Sequence, residues 1–163
     1  MKRLSSLIRF DKEYAASIET LRAQMKEKEP LPIVINGLTR GASSAYLAEA
    51  IKEVRAVSGA PALVFVASES ERERCASELC KEGVNALEYK SRELVFHNVS
   101  ASHDTERERL SVLSSVMNGC ADAVVTTPSA ALSYTVPEEL LMKLTMALKC
   151  GDTVSPEELC DRL

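Results

Sequence analysis

Apolar and polar positions change their period several times along the chain. Tyr14, Ile18, Leu21 and Met25 recur at i, i+4, i+7 and i+11, one stripe of a 3.6-residue helix. Residues 1–29 therefore read as a helical segment. Asp11 fits its N-cap, and Phe10 with Ala15 fits a hydrophobic staple. Glu29-Pro30-Leu31-Pro32 ends it, because proline supplies no backbone donor and disfavours helix in the residue before it. The next run, Ile33-Val34-Ile35, is apolar, β-branched and stopped by Asn36-Gly37, which predicts a strand buried on both faces.

Helix and strand patterns then alternate. Residues 43–57 predict a helix with Leu47, Ile51 and Val54 on one face, broken by Ser58-Gly59-Ala60-Pro61. Leu63-Val64-Phe65-Val66 predicts a second buried strand, residues 69–82 a charged amphipathic helix ended by Gly83, and Asn85–Tyr89 a weaker strand. Residues 90–103 lack a period and read as loop. Asp104–Asn118 aligns Leu110, Leu113 and Met117 on a helix. Asp104 or Thr105 fits its cap, Thr105 with Glu108 fits a capping box, and Gly119 ends it. Ala123-Val124-Val125-Thr126 predicts a further buried strand, Pro128–Leu132 a short helix, and Leu144–Leu148 a last strand. Ser155-Pro156-Glu157-Glu158 is a helix start: an N-cap, a proline at the first helical position, then acids suited to the helix dipole. That helix has barely begun at Leu163, so the sequence reads as a piece of a longer protein.

Strands with continuous apolar runs, alternating with helices, predict an α/β domain with a parallel sheet covered on both faces and joined by right-handed crossovers. The composition agrees: of 163 residues, 45% are hydrophobic and 27% charged, as in a globular domain. No apolar run reaches membrane-spanning length and no signal-peptide pattern opens the chain, so a cytoplasmic protein is expected. The net charge is −4. The first 29 residues carry 7 basic and 5 acidic side chains, the remainder 13 and 19. Neither part is a polybasic patch, which excludes strong nucleic-acid binding by this chain.

Candidate chemistry is sparse. Cys75, Cys80, Cys120, Cys150 and Cys160 are odd in number and lack C-x-x-C spacing, so they read as buried or incidental thiols and not as a metal site. His97 and His103 lack companions that would complete a site, apart from Asp104, and read as exposed loop histidines. Ser129 is not in a G-x-S-x-G elbow. The runs Glu69–Arg74 and Glu106–Arg109 read as solvated helix faces.

One segment has the setting of a phosphate loop. Gly37-Leu38-Thr39-Arg40-Gly41-Ala42-Ser43-Ser44 follows a predicted strand and opens a helix, the place of the pattern G-x-x-x-x-G-K-[ST]. Gly37 matches the first glycine and Ser44 the final hydroxyl. Ala42 replaces the second glycine and Ser43 the lysine. A serine cannot supply the charge that meets terminal phosphates, and an added Cβ hinders close backbone approach. Arg40 lies within the loop but at a different position from the lysine. After the strand at 123–126 comes Thr126-Thr127-Pro128, with no acid to hold Mg²⁺. The segment reads as a degenerate, non-hydrolytic loop at Gly37, Thr39, Arg40, Gly41, Ser43 and Ser44. The alternatives are a working nucleotide site in an ATPase or helicase fragment, and an ordinary strand–helix turn.

The stretch from about Pro32 to Leu163 resembles the N-terminal module of the bacterial transcription-repair coupling factors (Mfd), which is related to the first domain of the excision protein UvrB. The resemblance is carried by four stretches in order. They are Gly37–Ala42, then Ser100-Ala101-Ser102 leading into Glu108–Leu113, then Ala123–Leu132 ending at Val136-Pro137, and finally Leu148–Asp152 with Glu158-Leu159 and Leu163. His103 stands after Ser102 where the family usually has proline. The resemblance implies a P-loop NTPase or helicase-like fold without ATPase activity and without a cofactor. It implies a scaffold in transcription-coupled nucleotide excision repair that supports recruitment of UvrA through an adjoining domain and contacts other domains of a larger protein. The implied organisation is an N-terminal helical segment at 1–29, the α/β domain at 30–150, and the start of a UvrA-binding-like domain at 151–163.

Overall fold

The structure is a computed structural model. It describes residues 8–91, 99–146, 148, 150–151 and 153–157, and leaves the side chains of Arg40 and of residues 99–102 undescribed. Six helices and three strands are described: α1 (Lys12–Gln24), α2 (Arg40–Ser58), β1 (Ala62–Phe65), α3 (Glu69–Lys81), β2 (Ala86–Tyr89), α4 (Val99–Met117), β3 (Ala123–Thr126), α5 (Pro128–Ala131) and α6 (Glu138–Leu144). Contacts divide the chain into two compact units, residues 1–133 and 134–163.

The first unit is mixed α/β around a parallel sheet of order β1-β3-β2. Ala62 pairs with Ala123 and Phe65 with Thr126 along one side of β3. Ala86 and Tyr89 pair with the same two residues along the other. The central strand is buried throughout, as a run of β-branched residues with a sheet neighbour on each side requires. One sheet face packs Ala62, Val64, Ala86, Ala123 and Val125 against Ala48 and Ile51 of α2 and Ala76 and Leu79 of α3. The other packs Val124 and Tyr89 against Val112, Leu113 and Val116 of α4. Beside α4 this second face stays open at β1, where Leu63 and Phe65 are 58% and 55% exposed.

Helix ends follow local chemistry. The Asp11 side chain accepts from the Glu13 and Tyr14 N–H groups, both at 2.9 Å, so it caps α1 as expected. Phe10 is exposed, so the staple with Ala15 is not made. Gly59 ends α2 in the left-handed region at φ 69°. Arg55 then donates to the Gly59 and Gly119 carbonyls at 2.8 and 2.6 Å, tying together the loops that feed β1 and β3. Ser68 caps α3 by accepting from Glu71 N–H, and Glu71 reaches back to the Ala67 N–H.

Four expectations are corrected. Ile33–Ile35 is not a strand. It is extended coil, with Val34 76% exposed, because no strand lies alongside it to complete a ladder. The sheet is therefore three-stranded among the described residues. Helix α4 starts at Val99, not Asp104. No Gly or Pro interrupts 99–103, so the helix extends upstream and Asp104 and Thr105 lie inside it instead of capping it. The N-terminal helix stops at Gln24, ahead of the prolines. Among the described residues of 144–148 there is no strand, since Leu144 closes α6 and 145, 146 and 148 are coil. That helix is favoured by Pro137 before it and by Glu138 and Glu139 in its first turn. In the second unit α6 buries Leu141, and the Thr145 hydroxyl donates to the Leu141 carbonyl at 2.7 Å. The helix expected from Pro156 is described only at 156–157.

Candidate functional site

The phosphate-loop-like segment does not wind as a loop. Gly37 takes φ 84°, and Thr39 stands as an extended N-cap whose side chain caps nothing. Helix α2 begins at once with Arg40, so Gly41, Ser43 and Ser44 are helical, and Ser43 N–H donates to Thr39 C=O at 2.9 Å. A Cβ added at Gly41 would meet no atom of another part of the chain within 4 Å. No strand precedes the segment, which corrects the expected strand–loop–helix setting. The Arg40 side chain lies outside the described residues.

Ser43 and Ser44 instead line a cleft of about 340 Å³ with Leu47, the strand exit Phe65–Ala67, and Glu71, Arg74, Cys75 and Glu78 of α3. The Ser44 hydroxyl donates to the Glu78 carboxylate. Arg74 lies 3.9 Å from the other Glu78 oxygen, and Glu71 is held by the Ala67 N–H at 3.2 Å. Two carboxylates face one guanidinium, so the charged side chains of the cleft sum to −1. Helix α2 has no acid in its own first turn, and Glu78 supplies one from the neighbouring helix. Burial, followed by the Glu78 charge, pushes the Cys75 thiol upward, away from the reactive thiolate.

A second groove of about 290 Å³ runs between α1, residues 35–38 and α2, lined by Tyr14, Ser17, Ile35, Leu38, Ala42 and Tyr46 among others. The two tyrosine rings meet edge to face at 5.3 Å, and the Ser17 and Tyr46 hydroxyls share a 2.7 Å hydrogen bond. The Tyr14 hydroxyl is buried without a hydrogen-bond partner, and burial pushes its pKa up to about 12. Beneath it Glu49 is 2% exposed and bonded to Arg9 and Lys52. Burial alone would raise the Glu49 pKa. Hydrogen bonds from Lys52 and Arg9 outweigh it and hold the carboxyl below its usual value.

Beyond the sheet's C-terminal end lies a polar network that sequence reasoning missed. Arg72, read as part of a solvated face, is buried and pairs with Glu69 and with Glu88 of β2 at 3.2 Å. The Thr127 hydroxyl, which caps α5, donates to Glu69 at 2.9 Å and meets Ser129 at 3.0 Å. Arg109 lies 4.2 Å above the Tyr89 ring and donates to the Lys90 carbonyl at 2.6 Å. Spacing of i and i+3 in Glu69-x-x-Arg72 is the only sequence signal for any of these pairs. Arg72, Glu69, Thr127 and Ser129 are thereby joined in one network.

His103 is exposed on α4, and His97 and Cys160 lie outside the described residues. Cys80, Cys120 and Cys150 are exposed free thiols, and Cys75 is half-buried. Among the described residues no three His, Cys, Asp or Glu side chains are placed to hold a metal ion, and no helix is long and apolar enough to cross a membrane. Comparison of the chain with protein-family models, with curated proteins and with solved structures gives no match.

Proposed function

We propose that the chain is a non-catalytic interaction module, with a helicase-like α/β frame whose phosphate loop has degenerated. It acts as a cytoplasmic scaffold in transcription-coupled nucleotide excision repair and supports recruitment of UvrA through an adjoining domain. The repair context rests on the sequence resemblance alone. The non-catalytic character rests on one observation: Glu78 occupies the hydroxyl of Ser44, the position a phosphate-bound Mg²⁺ would need. Ser43 stands where a lysine would be required, and a second carboxylate, Glu71, lines the same cleft. A nucleotide triphosphate would bring several negative charges into a cleft that is already net negative, and like charges at this range repel.

Calorimetry of the chain with ATP and ADP in the presence of Mg²⁺ tests the non-catalytic reading. No heat of binding and no thermal shift at millimolar nucleotide is the expected result. Saturable binding that weakens in Arg40→Ala would reopen the nucleotide-binding ATPase reading. A UvrA pull-down comparing this chain with one extended past Leu163 tests the repair context. Capture by the extended chain alone is expected, and failure of both to capture UvrA removes it.

A further inference from the structure

Among the described residues neither hydrophobic cluster includes a residue of α1. Of the 13 residues of that helix only Tyr14 and Ile18 are buried. Its links to α2 are largely polar, and their charge runs one way. Arg9, just ahead of α1, pairs with Glu49, and Arg22 pairs with Glu53. Between them the Ser17 and Tyr46 hydroxyls meet at 2.7 Å. Both guanidinium groups lie on the N-terminal segment and both carboxylates on α2. Tyr46, Glu49 and Glu53 are spaced i, i+3 and i+7, which makes one stripe along α2.

The docked helix is built to leave. Docking keeps the Tyr14 hydroxyl buried without a hydrogen-bond partner, and release returns it to water. Arg9 and Arg22 are 54% and 50% exposed, so dissolved ions reach both pairs. Residues 25–39, which join α1 to α2, are turn and coil, so no helix or strand of the connection has to break. The face beneath is held without α1. Lys52 bonds Glu49 at 2.6 Å and the Glu82 carbonyl at 3.0 Å.

We propose that α1 is a releasable strap over a helix-docking face on α2, and that the released face takes a basic amphipathic helix of another protein. The strap shows what that helix must carry. Tyr14 and Ile18 supply an aromatic and an aliphatic residue four positions apart, and Arg9 and Arg22 flank them. Strap and partner compete for one face, so the partner's affinity falls as the closed fraction rises. The inference does not rest on the repair reading.

Two experiments on the full chain test it. The first is residue-resolved amide hydrogen exchange. Raising NaCl from about 0.05 M to about 0.5 M should quicken exchange at Ile18 and Leu21 about tenfold and leave Val125 of β3 unchanged. Exchange of α1 at the rate of β3, with the same salt response, overturns the strap. The second is fluorescence anisotropy with a labelled peptide of residues 8–25 as the probe. Arg22→Glu breaks a strap contact and leaves the α2 face intact, so it should bind the peptide about tenfold more tightly than the unaltered chain. Glu53→Arg also frees the strap but spoils the face, so it should not gain. Quickened exchange at Ile18 in both variants shows that both have opened, and slow exchange at Val125 shows that both are folded. No gain in Arg22→Glu, or an equal gain in the two variants, overturns the docking face. A doubled mass of the unaltered chain in light scattering makes α1 of a second copy the occupant and overturns the partner helix.

Discussion

Glu49 shows how one residue's surroundings set its stability contribution. Its carboxylate is almost wholly out of water, while its partners are not: Arg9 is 54% exposed and Lys52 29%. Removing the carboxylate therefore strands no buried cation, and Glu49→Gln should cost about 1–3 kcal/mol at neutral pH, below the cost of breaking a fully buried pair. The pH dependence has a definite sign. The folded-state pKa lies below the ordinary value of 4.5, so the ionised carboxylate stabilises the fold above that value. The contribution is lost as pH falls through the lowered folded value. Denaturant unfolding of both proteins at several pH values should show a gap that is constant near neutrality and narrows in acid. A gap that stays constant into strong acid would assign the loss to packing instead of charge. Of these contacts only the i and i+3 spacing of Glu49 and Lys52 was legible in the sequence. Arg9 lies 40 positions from Glu49, and only the packing of the N-terminal segment on α2 brings them together.

At the scale of elements, legibility tracked whether the signal was local. Helices α2 and α3 and strands β1, β2 and β3 follow from hydrophobic period and from breakers such as Gly59 and Gly83. Ile33–Ile35 and Leu144–Leu148 were misread because a short apolar run has no period of its own, and its fate depends on a neighbour that the run does not encode. The start of α4 was misread because a plausible cap at Asp104 or Thr105 was preceded by residues equally willing to be helical. The same contrast between local identity and surroundings separates two leucines. Leu79 of α3 is fully buried against the sheet, and Leu63 of β1 is 58% exposed. Leu79→Ala should cost about 2–5 kcal/mol, from lost transfer energy and an unfilled cavity. Leu63→Ala should stay within about 0.5 kcal/mol. Chemical denaturation of the two variants checks this. Equal losses would mean that the open face of β1 is covered in solution.

At the scale of the whole molecule, the candidate site was legible only in its own residues. Ser43 and Ala42 stand where a phosphate loop would carry lysine and glycine. What closes the cleft, Glu78 and Glu71, lies some thirty residues on and is brought there only by the packing of α3 on α2. Contacts separate residues 1–133 from 134–163. The contact division has a mechanical consequence. The sheet, both hydrophobic clusters and the helices that cover them belong to the first unit. Leu132 and Tyr134, at the junction, are 88% and 72% exposed, and chymotrypsin accepts both side chains. Brief proteolysis should therefore cut first at Leu132 or Tyr134. The fragment that retains the sheet should melt cooperatively within about 2 °C of the intact chain, because its core is untouched. Mass spectrometry identifies the cut and circular dichroism reads the melt. A fragment that loses its cooperative transition would show that residues 134–163 complete the first unit's core, and the division between the two units would have to be abandoned.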